Sequence, residues 1–153
     1  MAEIRILRAG DEAILQDVLP GVFDDNVDRR AATEFLNDPR HHLAVAIEDA
    51  SVVAFATGVH YVHPDKPCPE MWINEVGVAE RCRGRGLGTA VVQALLETAR
   101  QLGCAEAWVL TDRANGTAMN LYATCGGTEQ PPDVVMFAFR LQERTAEGDA
   151  ALE

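Results

Sequence analysis

The chain has 153 residues, of which 48% are apolar and 24% charged. Those proportions suit one soluble domain and exclude a fibre or a disordered chain. No apolar run approaches the ~20 residues of a membrane span. Lys and Arg number 13 against 24 Asp and Glu, a formal net charge of −11. Such a surface repels nucleic-acid phosphates and attracts cations, so nucleic acid and membrane are not the expected partners.

In chain order, Glu3–Arg8 alternates as a strand, and Asp11 is placed to cap a helix from Glu12 to Leu19 that ends at Pro20-Gly21. An acidic stretch, Phe23-Asp24-Asp25-Asn26-Val27-Asp28, leads to a helix over Arg29–Asn37, stopped by Pro39. Leu43–Glu48 and Val52–His63 read as a hairpin turning at Asp49-Ala50. A Pro-rich loop (64–69) precedes a strand over Met71–Val78. A glycine-rich turn, 81–88, opens a helix whose stripe is Leu87, Val91, Ala94, Leu95, Thr98 and Leu102, with Gly103 as its C-cap. Ala107–Thr111 is apolar throughout, as in a central strand. Asn115–Cys125 reads as a helix, Val134–Leu141 as a last strand, and 142–153 as a flexible acidic tail behind one domain, 1–141.

Cys68, Cys82, Cys104 and Cys125 form no CxxC pair, and His41, His42, His60 and His63 form no zinc-like pattern with them. The cysteines read as reduced, mostly buried thiols and the histidines as loop or surface residues. No metal site is expected. The N-terminus lacks the basic start and apolar core of a signal peptide, so a cytoplasmic protein is expected.

The chemistry concentrates between residues 72 and 126. A strand feeds a turn with Gly84, Gly86 and Gly88, and the turn opens a helix. Glycine frees the backbone there, and the N–H groups can converge on an anion at the positive end of the helix. Arg81, Arg83 and Arg85 add positive charge to an acidic protein, which suggests a phosphate site. No G-x-x-x-x-G-K-[ST] is present, and the alternating G-x-G-x-G lacks the dinucleotide-binding spacing. A basic turn without ligand is the plain alternative.

Arg83-Gly84-Arg85-Gly86-Leu87-Gly88 resembles the R/Q-x-x-G-x-G/A signature of the GNAT superfamily of N-acetyltransferases. Asn115-x-x-Ala118-x-x-Leu121-Tyr122-x-x-Cys125-Gly126 resembles a second element of that family, with Gly127 where a Phe is usual. The resemblance implies an α/β (α+β) GNAT fold: a central mixed, mostly antiparallel sheet of about six to seven strands flanked by roughly four helices. It implies acetyl-coenzyme A as donor. The amides of Arg83, Gly84, Arg85, Gly86, Leu87, Gly88 and Thr89 would cradle the pyrophosphate. Val76, Gly77 and Val78 would pair with the pantetheine arm, a backbone N–H near Val76 would meet the oxyanion, and Asn115, Ala118 and Tyr122 would flank the cofactor. Tyr122 would protonate the leaving thiolate, or else be core; Asn115 would cap its helix, touch the cofactor, or both. Glu75 would take the proton of the attacking ammonium, directly or through a water, or else be an exposed strand carboxylate.

Within that superfamily the chain resembles the aminoglycoside 3-N-acetyltransferases of the gentamicin-modifying kind. The pieces are the acidic stretch 23–28, Val62-His63-Pro64, the strand 71–78 with Glu75, and the ending Val134–Phe139. This implies a cationic small-molecule amine as substrate, met by Asp24, Asp25, Asp28, Glu75, Asp112 and Asp133. The alternative for Asp24–Asp28 is a helix cap. Another amine as acceptor (polyamine, metabolite or protein N-terminus) and a non-catalytic acetyl-coenzyme A binding module are the rival readings. The resemblance also admits a homodimer.

Overall fold

The structure, a computed structural model, describes residues 1–141; the acidic tail expected at 142–153 lies outside them. The elements run β1 (Glu3–Leu7), a 3₁₀ turn at Glu12–Gln16, α1 (Arg29–Asn37), β2 (His41–Glu48), β3 (Ser51–Tyr61) and β4 (Glu70–Val78). A second 3₁₀ turn at Glu80–Cys82, α2 (Leu87–Gln101), β5 (Glu106–Val109) and α3 (Gly116–Thr124) complete them. The sheet has the order β1-β2-β3-β4-β5, antiparallel up to β4 and parallel between β4 and β5. The class is the expected one, α/β with a mixed sheet, built from five strands among the described residues rather than six or seven.

Local chemistry explains most elements. The β2–β3 hairpin turns on Asp49 and Ala50, at φ +48° and +66°, the left-handed pair that matches the twist of two adjoining strands. The Asp28 carboxylate starts α1 by accepting the Ala31 N–H at 2.7 Å. Helix α2 lies across all five strands and buries Leu87, Val91 and Leu95 of its predicted stripe, with Val92 and Ala99 beside them. Leu102 is 39% exposed, because the helix ends at Gln101 and Gly103, at φ +75°, turns the chain away.

Four expectations fail, each for a tertiary reason. The helix predicted over Glu12–Leu19 is only a 3₁₀ turn. The Leu19 N–H bonds to the Val52 carbonyl at 2.9 Å and the Val52 N–H to Asp17 at 2.8 Å, so the sheet takes the second half of that segment. Asp11 caps nothing there; its carboxylate holds the Arg8 N–H and the Arg5 guanidinium. Val134–Leu141 forms no strand: Phe137 and Phe139 are about 80% and 82% exposed, and alternation alone supplies no hydrogen-bonded neighbour. The strand expected to be central, Ala107–Thr111, is Glu106–Val109 and, among the described residues, pairs with β4 alone. Three histidines lie on strands rather than loops. His42 Nε2 and His60 Nδ1 sit 2.8 Å apart, and burial with the neighbouring imidazoles pushes His42 down to about 4. The cysteines are all free; Cys82 is buried, Cys104 and Cys125 half-buried, and Cys68 exposed.

One irregularity sets up the site. In the β3–β4 ladder Thr57 faces Glu75, but the next residue, Gly58, faces Ile73, so Asn74 is an extra residue in β4. Beyond it Val59 faces Trp72. Thr57 and Val59 share a face of β3, so Glu75 and Trp72 share that face of β4 although they are three apart. Met71 and Ile73 are turned to the other side and buried.

Candidate active site

A cleft of about 1040 Å³ runs between two walls. The first wall is backbone. Strands β4 and β5 pair only from Glu70 to Ile73, so Val76, Gly77 and Val78 have no β5 partner on that side. These three residues line the cleft. At its end the chain turns through Gly84 and Gly86, at φ +71° and +79°, into α2. Gly86 is the N-cap, and its left-handed conformation is one that a bulky side chain resists. The first intrahelical bond runs from the Ala90 N–H to the Gly86 carbonyl, leaving the Leu87, Gly88 and Thr89 N–H groups without a partner among the described residues, at the positive end of the helix. Those residues line the cleft together with Arg83, Gly84 and Gly86. That cradle suits a diphosphate.

Gly88 serves packing rather than backbone freedom. It is helical, and a Cβ there would lie 2.6 Å from Leu121 Cδ1, so its absence lets α3 close on α2. Arg85 differs from expectation. Its guanidinium is engaged by Glu48, with Nη1–Oε2 at 3.0 Å, and its residue is outside the lining of the cleft. The Arg83 Nε–H donates to the Val78 carbonyl at 3.3 Å, so this arginine joins the turn to the end of β4.

From α3 come Asn115, Ala118, Leu121 and Tyr122, all on the cleft. Asn115 caps α3 by accepting the Ala118 N–H at 3.0 Å, and it reaches the cleft from that position. Tyr122 is half-buried, and burial first, then Cys125, pushes its phenol above the ordinary range. It therefore stays protonated at neutral pH and able to donate. Gly127 donates its N–H to the Tyr122 carbonyl at 2.9 Å; a Cβ there would lie 3.0 Å from that oxygen, so the usual Phe would crowd the turn behind the tyrosine.

The second wall is made of side chains. Phe23 stacks on Phe55, with ring centroids 3.9 Å apart. This seats the acidic stretch over β3, and Asp24, Asp25 and Asp28 line the cleft. Gly77 permits that seat, since a Cβ would lie 2.1 Å from the Val22 carbonyl and 2.5 Å from the Phe55 ring. Asp28 is also the N-cap of α1, so the capping alternative holds for this residue. Glu75 is exposed on the cleft directly across from Thr57. Asp112 and Asp133 are not brought to the cleft: Asp112 accepts the Ala114 N–H in its own turn, and Asp133 lies in the exposed segment after Pro132.

Sequence reasoning missed Thr57, Phe23 as an anchor, Phe55 and Asn74, all of which line the cleft. Only an odd spacing could have betrayed the bulge, namely that Trp72 and Glu75 share a face while Met71 and Ile73 fill the core.

The Acetyltransferase (GNAT) family model matches residues 12–126. Over 105 residues the chain is 31% identical to aminoglycoside N(6′)-acetyltransferase type 1 of Serratia marcescens, covering 66% of this chain and 72% of that protein. An aminoglycoside acetyltransferase from an uncultured soil metagenomic sample, solved with trehalose, superposes with a TM-score of 0.79 at 18% identity, over 92% of this chain and 97% of that one. An aminoglycoside N-acetyltransferase solved with coenzyme A gives a TM-score of 0.71 at 20% identity, over 93% and 96%. With its backbone cradle, its α3 tyrosine and this family match, the chain belongs to the GNAT acetyltransferase family, N-acetyltransferases that take their acetyl group from acetyl-coenzyme A.

Proposed function

We propose that this protein acetylates an amine of an aminoglycoside by direct attack in a ternary complex. The observation that carries the reading is the pairing of unlike walls across one cleft: free main-chain amides and an open strand edge on one side, Asp24, Asp25 and Glu75 on the other. The donor supplies an activated acetyl thioester and a good leaving thiolate. The Leu87–Thr89 amides hold its diphosphate, and the open edge at Val76–Val78 aligns its arm. A backbone N–H near Val76 is the oxyanion donor, a contribution of a few kcal/mol to the barrier. Glu75 receives the proton that the acceptor's ammonium must lose. Tyr122 supplies a proton at the departing sulfur. Asp24 and Asp25 hold the remaining ammonium groups, and the charge of −11 draws a polycation in from a distance. Holding both reactants side by side supplies the orientation.

The Serratia marcescens relative favours an aminoglycoside over the other amines. Its name specifies the 6′ amine, whereas the sequence resemblance specifies 3-N; NMR of the isolated product decides between the two. Thiol release with sisomicin, gentamicin, spermidine and an alanine-terminated peptide tests the acceptor class. Turnover with the aminoglycosides is expected. Turnover with only the other amines removes the aminoglycoside, and coenzyme A binding without any turnover leaves a binding module.

A further inference from the structure

Among the described residues the buried set contains one polar side chain, Thr57, which is 7% exposed. Among the described residues its hydroxyl has no hydrogen-bond partner. Buried hydroxyls are almost always paired, because an open one forfeits its hydration without return. Its neighbours do not account for it. Leu43 faces it on β2, and Phe55 and Val59 flank it on its own face of β3. A valine has nearly the same shape and would fill an apolar setting without leaving an open hydroxyl. Thr57 lines the cleft, and its register partner on β4 is Glu75. A buried, unpaired hydroxyl thus belongs to the residue paired across the strands with an exposed carboxylate. The other ionisable groups on the cleft are Asp24, Asp25 and Asp28 from the acidic stretch, Cys82 from the second 3₁₀ turn, Arg83 from the glycine turn, and Tyr122 from α3.

We propose that Thr57 is a positioning residue for proton removal: it anchors a water that lies between the acceptor's ammonium and the Glu75 carboxylate. The inference rests on the reading of Glu75 as base, not on which amine is the acceptor. An ammonium N–H bond breaks and its proton joins the water. A proton of that water passes to Glu75 and on to solvent, and the nitrogen keeps the electron pair for attack. The hydroxyl suits the position because it can donate and accept at once, which a valine or a carboxylate cannot do. The shared water in turn donates to the Glu75 carboxylate, so hydroxyl, water and carboxylate form one chain.

Thr57→Val, Thr57→Ser and Glu75→Gln test this, with sisomicin as acceptor or, if the wild type rejects it, the amine it does accept. Thr57→Val should lower kcat roughly tenfold and move the rising limb of the pH profile of kcat/KM to higher pH. The KM for acetyl-coenzyme A should hold, and Thr57→Ser should restore rate and limb. Calorimetry of acceptor binding to the coenzyme A complex in two buffers of different ionisation enthalpy counts protons without turnover; Thr57→Val should release fewer than the wild type. A wild-type limb and proton count in Thr57→Val overturn the proposal, as does a change confined to the acceptor KM. If Glu75→Gln slows turnover while Thr57→Val does not, the role of Thr57 alone falls. If Glu75→Gln changes neither rate nor limb, the base and its water fall together. Should Thr57→Val fail to fold, judged by its circular dichroism melt, Thr57→Ala gives the same reading.

Discussion

The two walls of the cleft are built by different means. The donor wall is main chain: a splayed strand edge, a left-handed glycine and the opening turn of α2, drawn mostly from one stretch, residues 76–89. The acceptor wall is side chain, assembled from the 22–28 loop, α1, β3 and β4, which meet only in the folded state. A wall of backbone can be held through one short motif while nearly everything around it changes. A wall of side chains is free to vary with the substrate but must be positioned by packing, here by Phe23 on Phe55 and by the space at Gly77.

The sharpest way to break this contrast is Gly86→Val. A β-branched residue at φ +79° is strained, so the turn and its amides shift. Coenzyme A affinity should fall about 100-fold by titration calorimetry, equivalent to about 2.7 kcal/mol. A wild-type Kd would show that the amides do not hold the diphosphate. Tyr122→Phe separates chemistry from binding within the donor wall. It should cut kcat by roughly 30-fold at unchanged coenzyme A affinity, and equal turnover would return the phenol to a packing role.

The His42–His60 contact lies away from both walls and serves as a control on the scaffold. His42 titrates near 4 in the folded protein, below its ordinary 6.5, so the unfolded chain binds the extra proton first. The stability it contributes is complete above about pH 6.5 and is lost as pH falls through that value toward 4. Melting temperature should therefore fall by a few degrees from pH 7 to pH 5, and His42→Gln should flatten that slope. An unchanged slope would place the acid sensitivity elsewhere. The smallest effect belongs to Arg85→Ala. With its guanidinium committed to Glu48, coenzyme A affinity should change less than about threefold. A loss above tenfold would mean that the pair opens to meet phosphate and that the donor wall is not backbone alone.

The same contrast explains what could be read in advance. Gly84, Gly86, Asn115 and Tyr122 belong to local motifs, and all four line one cleft. Arg85 belongs to the same motif, but its partner is 37 residues away, and no local pattern shows Glu48 reaching across. The Glu12–Leu19 helix failed because Val52, far along the chain, claimed its second half. Asp112 and Asp133 carry the charge a polycation needs, but charge carries no direction, and neither lines the cleft. Thr57 was invisible because a threonine in a β-rich run is unremarkable until its hydroxyl is seen to be buried and unpaired.

Asn74 carries a consequence for how such a molecule can change. A strand with one residue to spare keeps two phases: the half before the kink sends odd positions to the core, and the half after it sends them to the cleft. Removing that single residue would invert the first half, driving the Trp72 indole under the sheet and lifting the Met71 thioether into the opening. Deletions in this strand are therefore far costlier than substitutions, and new specificity is open to it through exchange of side chains rather than through changes of length.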